Sequence, residues 1–163
     1  MWAETTRQLR AQLIAQQKGW KPGRSSNYET VVQLDRRMAI AVVGGDGFTG
    51  EAGYPDPSTA RRRGPVTSER VARNRAGQLT FSIPGIHEPA LSDDECETWF
   101  FLMNARNDTL FSELSLPVSM GKNRRISEWA KRVLMPPLPL SGVVTPVAPQ
   151  DEDGPDVTVK RKA

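Results

Sequence analysis

The stretch whose spacing most resembles a chemical motif is residues 45–50, Gly-Asp-Gly-Phe-Thr-Gly, which fits the G-x-G-x-x-G pattern of dinucleotide-binding loops. It follows an apolar run over 38–43 that predicts a buried strand. In dinucleotide-binding proteins a helix begins at the last glycines, and its free N–H groups contact the pyrophosphate. Here Gly53, Pro55 and Pro57 come next, which disfavours a helix at that point. We therefore interpret 44–65 as a long glycine-rich loop that could serve as a contact surface.

Arginines are concentrated directly after this loop. Between residues 58 and 77 there are six arginines and only one acidic residue. Arginine forms bidentate hydrogen bonds with phosphate, so this run predicts contact with a nucleic-acid backbone. The candidate binding residues are Arg61, Arg62, Arg63, Arg70 and Arg73. The alternative is a solvated basic surface that acidic residues elsewhere, such as 93–95, balance, since no stacking or groove-reading motif accompanies the run.

The residues that commonly carry catalysis are scarce. His87 is the only histidine and Cys96 the only cysteine, which is too few for the usual zinc site, and no nucleophile elbow surrounds a serine. Four acidic residues lie within 93–97, but the side chains of adjacent residues do not generally point to a single metal site. The pair Glu128 and Lys131 has the wrong spacing for a restriction-type nuclease. We predict no enzymatic activity, no metal and no cofactor.

Composition bounds the class of protein. The chain has 163 residues, of which 37% are hydrophobic, with a net charge of +3 and a pI near 9.3. One domain is the natural expectation for this length. The first residues lack a basic start and an apolar run, and no apolar run approaches the roughly 20 residues that span a bilayer. We expect a cytoplasmic protein with no membrane partner.

The elements before the arginine run and just after it can be placed from periodicity and turn chemistry. Apolar residues on one face predict a helix over 5–17. Two strands, 28–34 and 38–43, are separated by a short polar turn and predict a hairpin. A short helix is expected over 67–76 and a short strand over 79–83.

The strongest structural signal lies in the second half of the chain. An aromatic strand near 98–103, turn residues at 105–108 and an alternating strand to 116 predict an antiparallel hairpin. The spacing of Ile126, Trp129 and Val133 predicts a third helix over 126–135. The fold prediction is therefore α+β, with an antiparallel sheet centred on the 98–116 hairpin and two or three flanking helices. We expect one domain over 1–140 and, from its composition, a disordered tail over 141–163.

Three segments, 57–65, 108–117 and 125–136, resemble uncharacterised small proteins encoded on bacterial prophages and integrative elements. The resemblance implies a bacterial mobile-element origin but carries no defined activity and no site residues. The function expected is a non-enzymatic accessory protein that binds DNA or RNA through the arginine-rich loop and helix. The alternative is a protein–protein adaptor or inhibitor acting on host or phage machinery. The sequence leaves the partner and the oligomeric state open.

Overall fold

The computed structural model describes residues 2–78 and 90–141 and confirms the α+β class. Two α-helices and seven strands make up this part of the chain, and short 3₁₀ turns cover Ser25–Asn27 and Asp93–Glu95. The elements are α1 Trp2–Ala15, β1 Trp20–Gly23, β2 Thr30–Gln33, β3 Met38–Gly44, α2 Pro65–Gln78, β4 Glu97–Arg106, β5 Thr109–Met120, β6 Ile126–Leu134 and β7 Leu138–Pro139.

The strands form one mostly antiparallel sheet in the order β1-β2-β3-β4-β5-β6, with β7 pairing separately with β5. The exception is the β3–β4 pair, which is parallel over seven residue pairs. After β3 the chain forms α2, and β4 then begins at the same end of the sheet as β3, as a parallel connection requires. The prediction of an antiparallel sheet is thus correct for every neighbouring pair except this one.

The hairpin predicted over 98–116 is confirmed as β4 and β5. Its strands are joined by the two residues Asn107 and Asp108, which have φ values of 49° and 56°. Two-residue hairpin turns of this kind need positive φ at both positions, and Asn and Asp tolerate that conformation better than most residues. The hairpin predicted over 28–43 is also confirmed, as the antiparallel pair β2 and β3.

The helix predicted over 126–135 is wrong, because this segment is the strand β6. The spacing of Ile126, Trp129 and Val133 suggested a helix because β6 is irregularly paired with β5. Met120 pairs with Ile126 and Ser119 with Glu128, so Ser127 is an extra residue in β6. A second irregularity follows before Trp129 pairs with Pro117. Because of these bulges, Ile126 and Trp129 both face the core although they are three positions apart in a strand. A spacing of three residues is also what an amphipathic helix shows in a sequence.

The main core lies between α2 and the central strands. Ala41 and Val43 of β3 are buried beside Phe100 and Leu102 of β4, and Val71 of α2 packs against them. Two further members join from the second half of the chain: buried Ile126, and half-buried Trp129, which meets the Phe100 ring edge-on at 6.2 Å. Phe100, which belongs to the aromatic strand predicted near 98–103, is fully buried.

Asn74 of α2 fills a gap between β4 and β5. The two strands begin to pair only at Phe100 and Ser115, and Pro117 has no N–H to offer the ladder. The Asn74 amide nitrogen donates to the carbonyls of Thr98 and Pro117, and its oxygen accepts from the Thr98 N–H, all at 2.9 Å. One buried side chain therefore replaces the missing backbone hydrogen bonds and fixes α2 on the sheet.

Some predictions lie outside the described residues: the strand over 79–83, the loop residues 84–89 with His87, and the tail from 142 onward. Within residues 2–78 and 90–141, no helix has both the length and the apolar character needed to cross a membrane.

Candidate nucleic-acid interface

The glycine-rich loop is held to the sheet, and no helix begins at the glycines of the 45–50 motif, as the sequence predicted. Helix α2 begins only at Pro65. Gly50 has φ = 74°, and its N–H donates to the Glu113 carboxylate at 2.8 Å. A Cβ at Gly50 would lie 3.0 Å from the Phe111 side chain and 3.1 Å from the Ser112 nitrogen. This glycine is required by close packing and backbone conformation, not by a nucleotide.

The segment that precedes the arginine run is fixed between two strands. The Thr59 N–H donates to the Ile126 carbonyl at 2.9 Å, and its hydroxyl accepts from the Ile126 N–H at 3.1 Å. The next residue, Ala60, donates its N–H to the Gly44 carbonyl at 2.8 Å. The segment thus contacts the end of β3 and the start of β6, which are not neighbours in the sheet. These hydrogen bonds fix the backbone directly before the arginine run.

A second basic loop lies against the arginine run. The Arg63 N–H donates to the Arg124 carbonyl at 2.7 Å, and the Arg124 Nε donates back to the Arg63 carbonyl at 3.2 Å. This loop is the 121–125 turn between β5 and β6, closed by Gly121 and Arg125 through a 2.9 Å backbone hydrogen bond. We call the combined set the two-loop basic cluster. Its members are Arg61, Arg62, Arg63, Lys122, Arg124 and Arg125.

The two-loop basic cluster is not neutralised by nearby acids. Arg63 is half-buried and the other five side chains are exposed. None of the six forms an ion pair with a carboxylate of residues 2–78 or 90–141. The contrast with Arg106 and Arg132 is clear, since their ion pairs with carboxylates measure 2.6 to 2.9 Å. Uncompensated cations held this close together repel one another and attract anions.

Arg70, which the sequence placed in the binding set, is a buried structural residue. Only 1% of its side chain is exposed. Its guanidinium lies 3.4 Å from Asp93 and 3.5 Å from Asp94, and it donates to the Thr98 hydroxyl at 3.2 Å. It also sits over the Tyr28 ring, 4.9 Å from the centroid. Because its charge is paired with acidic residues inside the protein, Arg70 is not available to bind an external phosphate.

Asp93 stays ionised beside this arginine. Burial raises the pKa of its carboxyl, but hydrogen bonds from Ser25 and the charge and hydrogen bond of Arg70 outweigh burial, so the pKa lies below its usual range. The Ser25 N–H donates to the carboxylate at 3.2 Å and the Thr30 hydroxyl at 3.4 Å. The pair therefore fastens α2 to β2 and to the 3₁₀ turn that precedes β4.

Arg73 also forms an ion pair within the protein, with Asp94. Its guanidinium lies 3.4 Å from the Asp94 carboxylate and donates to the Asp94 carbonyl. The side chain is partly exposed, but the neighbouring carboxylate offsets its charge. Of the five predicted residues, the structure therefore brings together Arg61, Arg62 and Arg63 and separates the two on α2.

The second loop is the part of the cluster that the sequence did not indicate. Its residues Lys122, Arg124 and Arg125 form a recognisable basic group in the sequence. Nothing in their spacing, however, indicated that they would lie beside a run 61 residues earlier in the chain. Only the folded arrangement, in which the 57–60 segment joins the end of β3 to the start of β6, places the two groups together.

The single thiol is not activated for chemistry. Burial raises the pKa of Cys96 to about 11, and the negative charge of Asp93 acts in the same direction. The thiol is therefore protonated at neutral pH, and the nucleophilic form is a thiolate. Among the described residues no group of three or more His, Cys, Asp or Glu side chains could hold a metal ion.

Comparison of the chain with protein-family models, with curated proteins and with solved structures finds no match. The resemblance to small proteins of prophages and integrative elements therefore stays a prediction. The geometry and charge of the two-loop basic cluster are the basis on which a function can be inferred.

Proposed function

We propose that this protein is a non-enzymatic accessory protein that binds the sugar-phosphate backbone of nucleic acid through the two-loop basic cluster. The observation that carries the proposal is the meeting of two hydrogen-bonded loops, at Arg63 and Arg124, which gathers six cations without a carboxylate partner among the described residues. Phosphate is the ligand that suits such a cluster, because guanidinium groups bind it bidentately.

The packing of the molecule supports a binding role for these cations. Arginines that stabilise the fold, such as Arg70 and Arg132, are buried or half-buried and are paired with acids. Within residues 2–78 and 90–141 the cluster residues form no ion pair, and their mutual repulsion is unfavourable for the free protein. When phosphates neutralise them, counterions are released from the nucleic acid, and this release drives association.

The test is a binding titration of a labelled duplex and of one of its strands at several salt concentrations. The variant Arg61→Ala/Arg62→Ala/Arg63→Ala should lower the magnitude of the slope of log affinity against log salt on duplex by up to about 2.7, because each phosphate that an arginine neutralises contributes about 0.9. A matched control is Lys18→Ala/Lys21→Ala/Arg36→Ala. It removes the same charge from exposed residues near the opposite end of β3.

The control variant should bind like the wild type. Equal slopes for the two triple variants would show that binding follows net charge and not the cluster. Absence of binding by the wild type at low salt would remove the nucleic-acid proposal altogether.

A protein–protein adaptor or inhibitor is the second candidate function. The observation that favours it is a pair of exposed apolar side chains where β6 ends and β7 follows, Val133 and Leu138, whose partners on β5 are Leu114 and Leu110 on one face of that strand. Exposed apolar groups close together are typical of protein interfaces. Capture of partners from bacterial lysate after nuclease treatment separates the two functions. A protein partner should survive the nuclease and be lost in Val133→Ser/Leu138→Ser, while a partner bridged by nucleic acid should be lost in the wild type.

A further inference from the structure

A cavity of about 320 Å³ opens beside Arg61 and Arg63, the part of the two-loop basic cluster that belongs to the first loop. Gly44, at the end of β3, Ala60, Arg61 and Arg63 line it. Its volume is at the lower end of the range of about 300–1,000 Å³ that is usual for small-molecule sites, and it is larger than a phosphate group needs. Two of the described lining residues, Gly44 and Ala60, contribute little side-chain volume beside the two arginines.

Arg63 is a lining residue of this cavity that has an unpaired polar atom, as do three other buried side chains of the described residues, Gln33, Thr49 and Arg70. Its Nε is buried and finds no hydrogen-bond acceptor among the residues that the structure describes. A buried donor without an acceptor is unfavourable, and native structures seldom leave one without a reason such as a bound ligand. An oxygen atom of an anionic ligand would satisfy this N–H and complement the charge of the guanidinium.

A second cavity that Arg63 also lines suits an anion less well. It measures about 220 Å³ and is lined by residues that include Tyr28 and Glu29. The Glu29 carboxylate lies 3.6 Å from its partner Arg10 and repels phosphate. Among the described residues that line the cavity beside Arg61 there is no acid, so electrostatics favours this cavity for an anion.

We infer that the cavity bounded by Gly44, Ala60, Arg61 and Arg63 takes one unpaired nucleotide of the bound nucleic acid. The phosphate binds the two guanidinium groups, and the sugar or base fills the remaining volume. This inference rests on the proposed function and adds a preference to it. A base inside a duplex is paired and stacked, and it must leave the stack to enter a pocket. Single strands and frayed ends therefore bind more tightly than intact duplex.

The test fills the cavity without changing charge. A Cβ at Gly44 would meet the Ala60 Cβ at 3.8 Å, an ordinary contact, so Gly44→Ala is a conservative control and Gly44→Val adds bulk. Wild type should bind a short single strand about tenfold more tightly than the matching duplex at equal salt. Gly44→Val should lose most of this preference and keep its affinity for duplex and its salt slope. Gly44→Ala adds a single methyl group and should lose less of the preference than Gly44→Val.

Two further variants keep the result decisive if Gly44→Val fails to fold by circular dichroism. Ala60→Leu fills the same cavity from an exposed position, and Arg63→Lys keeps the charge but removes the orphaned Nε donor. Both should reduce single-strand preference. Equal binding of strand and duplex by the wild type, or unchanged preference in the filled variants, would overturn the inference while leaving backbone binding intact. Failure of the proposed function shows separately, as equal salt slopes for the wild type and the Arg61–Arg63 triple variant.

Discussion

Glu113 and Arg132 form a bidentate ion pair across β5 and β6, with Arg132 nitrogens 2.7 and 3.0 Å from the two carboxylate oxygens. No part of Glu113 is exposed. The same carboxylate accepts from the Ser115 hydroxyl at 2.7 Å and from the Gly50 N–H at 2.8 Å. Arg132 in turn reaches the Asp56 carboxylate at 2.9 Å. One buried pair therefore fastens both halves of the glycine-rich loop to the sheet.

This pair also bears on the candidate interface, because Asp56 comes directly before the segment that holds the arginine run. Pro57 accepts a hydrogen bond from the Trp129 indole at 2.8 Å, and Thr59 then bonds to Ile126. The chain from Asp56 to Thr59 thus runs alongside β6 and is hydrogen-bonded to it at several points. A fixed segment lowers the entropy that must be lost when the basic residues beyond it bind a ligand.

Removal of the Glu113 carboxylate should destabilise the protein strongly. In Glu113→Ala the Gly50 N–H loses its acceptor and the half-buried Arg132 loses one of its two carboxylate partners, and breaking a buried ion pair on one side costs about 3–5 kcal/mol. Urea unfolding should show this fall in the free energy of unfolding. The control is Arg7→Ala, which removes an exposed ion pair with Glu4 on α1 and should leave stability unchanged. Equal, small effects of the two changes would mean that the buried pair contributes nothing.

Acid should destabilise the fold through Glu113 and Asp93. Burial raises the pKa of Glu113, but hydrogen bonds from Arg132, Ser115 and Gly50 outweigh it, so the pKa of Glu113, like that of Asp93, lies below its ordinary value. A lowered pKa in the folded state stabilises the protein above the ordinary carboxyl pKa values, 4.5 for Glu and 3.8 for Asp. This stability is lost as the pH falls through the folded-state values.

The measurement for this pH prediction is the free energy of unfolding from pH 7 down to pH 3. Glu113→Gln should lower stability at pH 7 and make the curve flatter in the acid range, because one of the responsible carboxylates is gone. Glu128→Gln, at an exposed position of β6, is the matched control and should follow the wild-type curve. A wild-type stability that stays constant or rises on acidification would contradict the prediction.

Asn74→Ala should cost stability without touching the basic cluster. The change leaves a buried Thr98 N–H and the carbonyls of Thr98 and Pro117 without partners, and we expect a loss of about 2–4 kcal/mol. Arg75→Ala, on an exposed position of the same helix, should stay within about 0.5 kcal/mol. Thermal and urea unfolding measure both. A loss no larger than that of Arg75→Ala would show that water replaces the Asn74 amide.

The second basic loop should contribute to nucleic-acid binding as much as the first. Lys122→Ala/Arg124→Ala/Arg125→Ala should reduce the magnitude of the salt slope on duplex by up to about 2.7, because three cations are removed. Arg70→Met offers the contrast. It leaves Asp93 buried with its ion-pair partner removed, should cost about 3–5 kcal/mol of stability, and should not change the salt slope at temperatures where it is folded. A slope that falls with Arg70 and not with the second loop would place the interface on α2.

The sequence by itself determined the elements whose signals are local. The β4–β5 hairpin follows from alternation on both sides of Asn107 and Asp108, residues suited to positive φ. The short helix predicted over 67–76 is confirmed as α2, Pro65–Gln78, and the prolines after Gly50 removed the dinucleotide-binding interpretation. Each of these conclusions depends on neighbours a few residues apart, which is the range over which backbone conformation is set.

Tertiary structure decided what depends on residues far apart in the chain. Arg63 and Arg70 are the same side chain seven positions apart, yet one lies in an uncompensated cluster and the other is buried against Asp93, 23 residues away. The apolar spacing in β6 matched a helix because its pairing with β5 contains bulges, which change the residues that face inward. The residues of β6 alone do not reveal that pairing. Burial and pairing are properties of the folded sheet, so the charge pattern of the chain could name arginines as candidates but could not tell which of them remain free to bind.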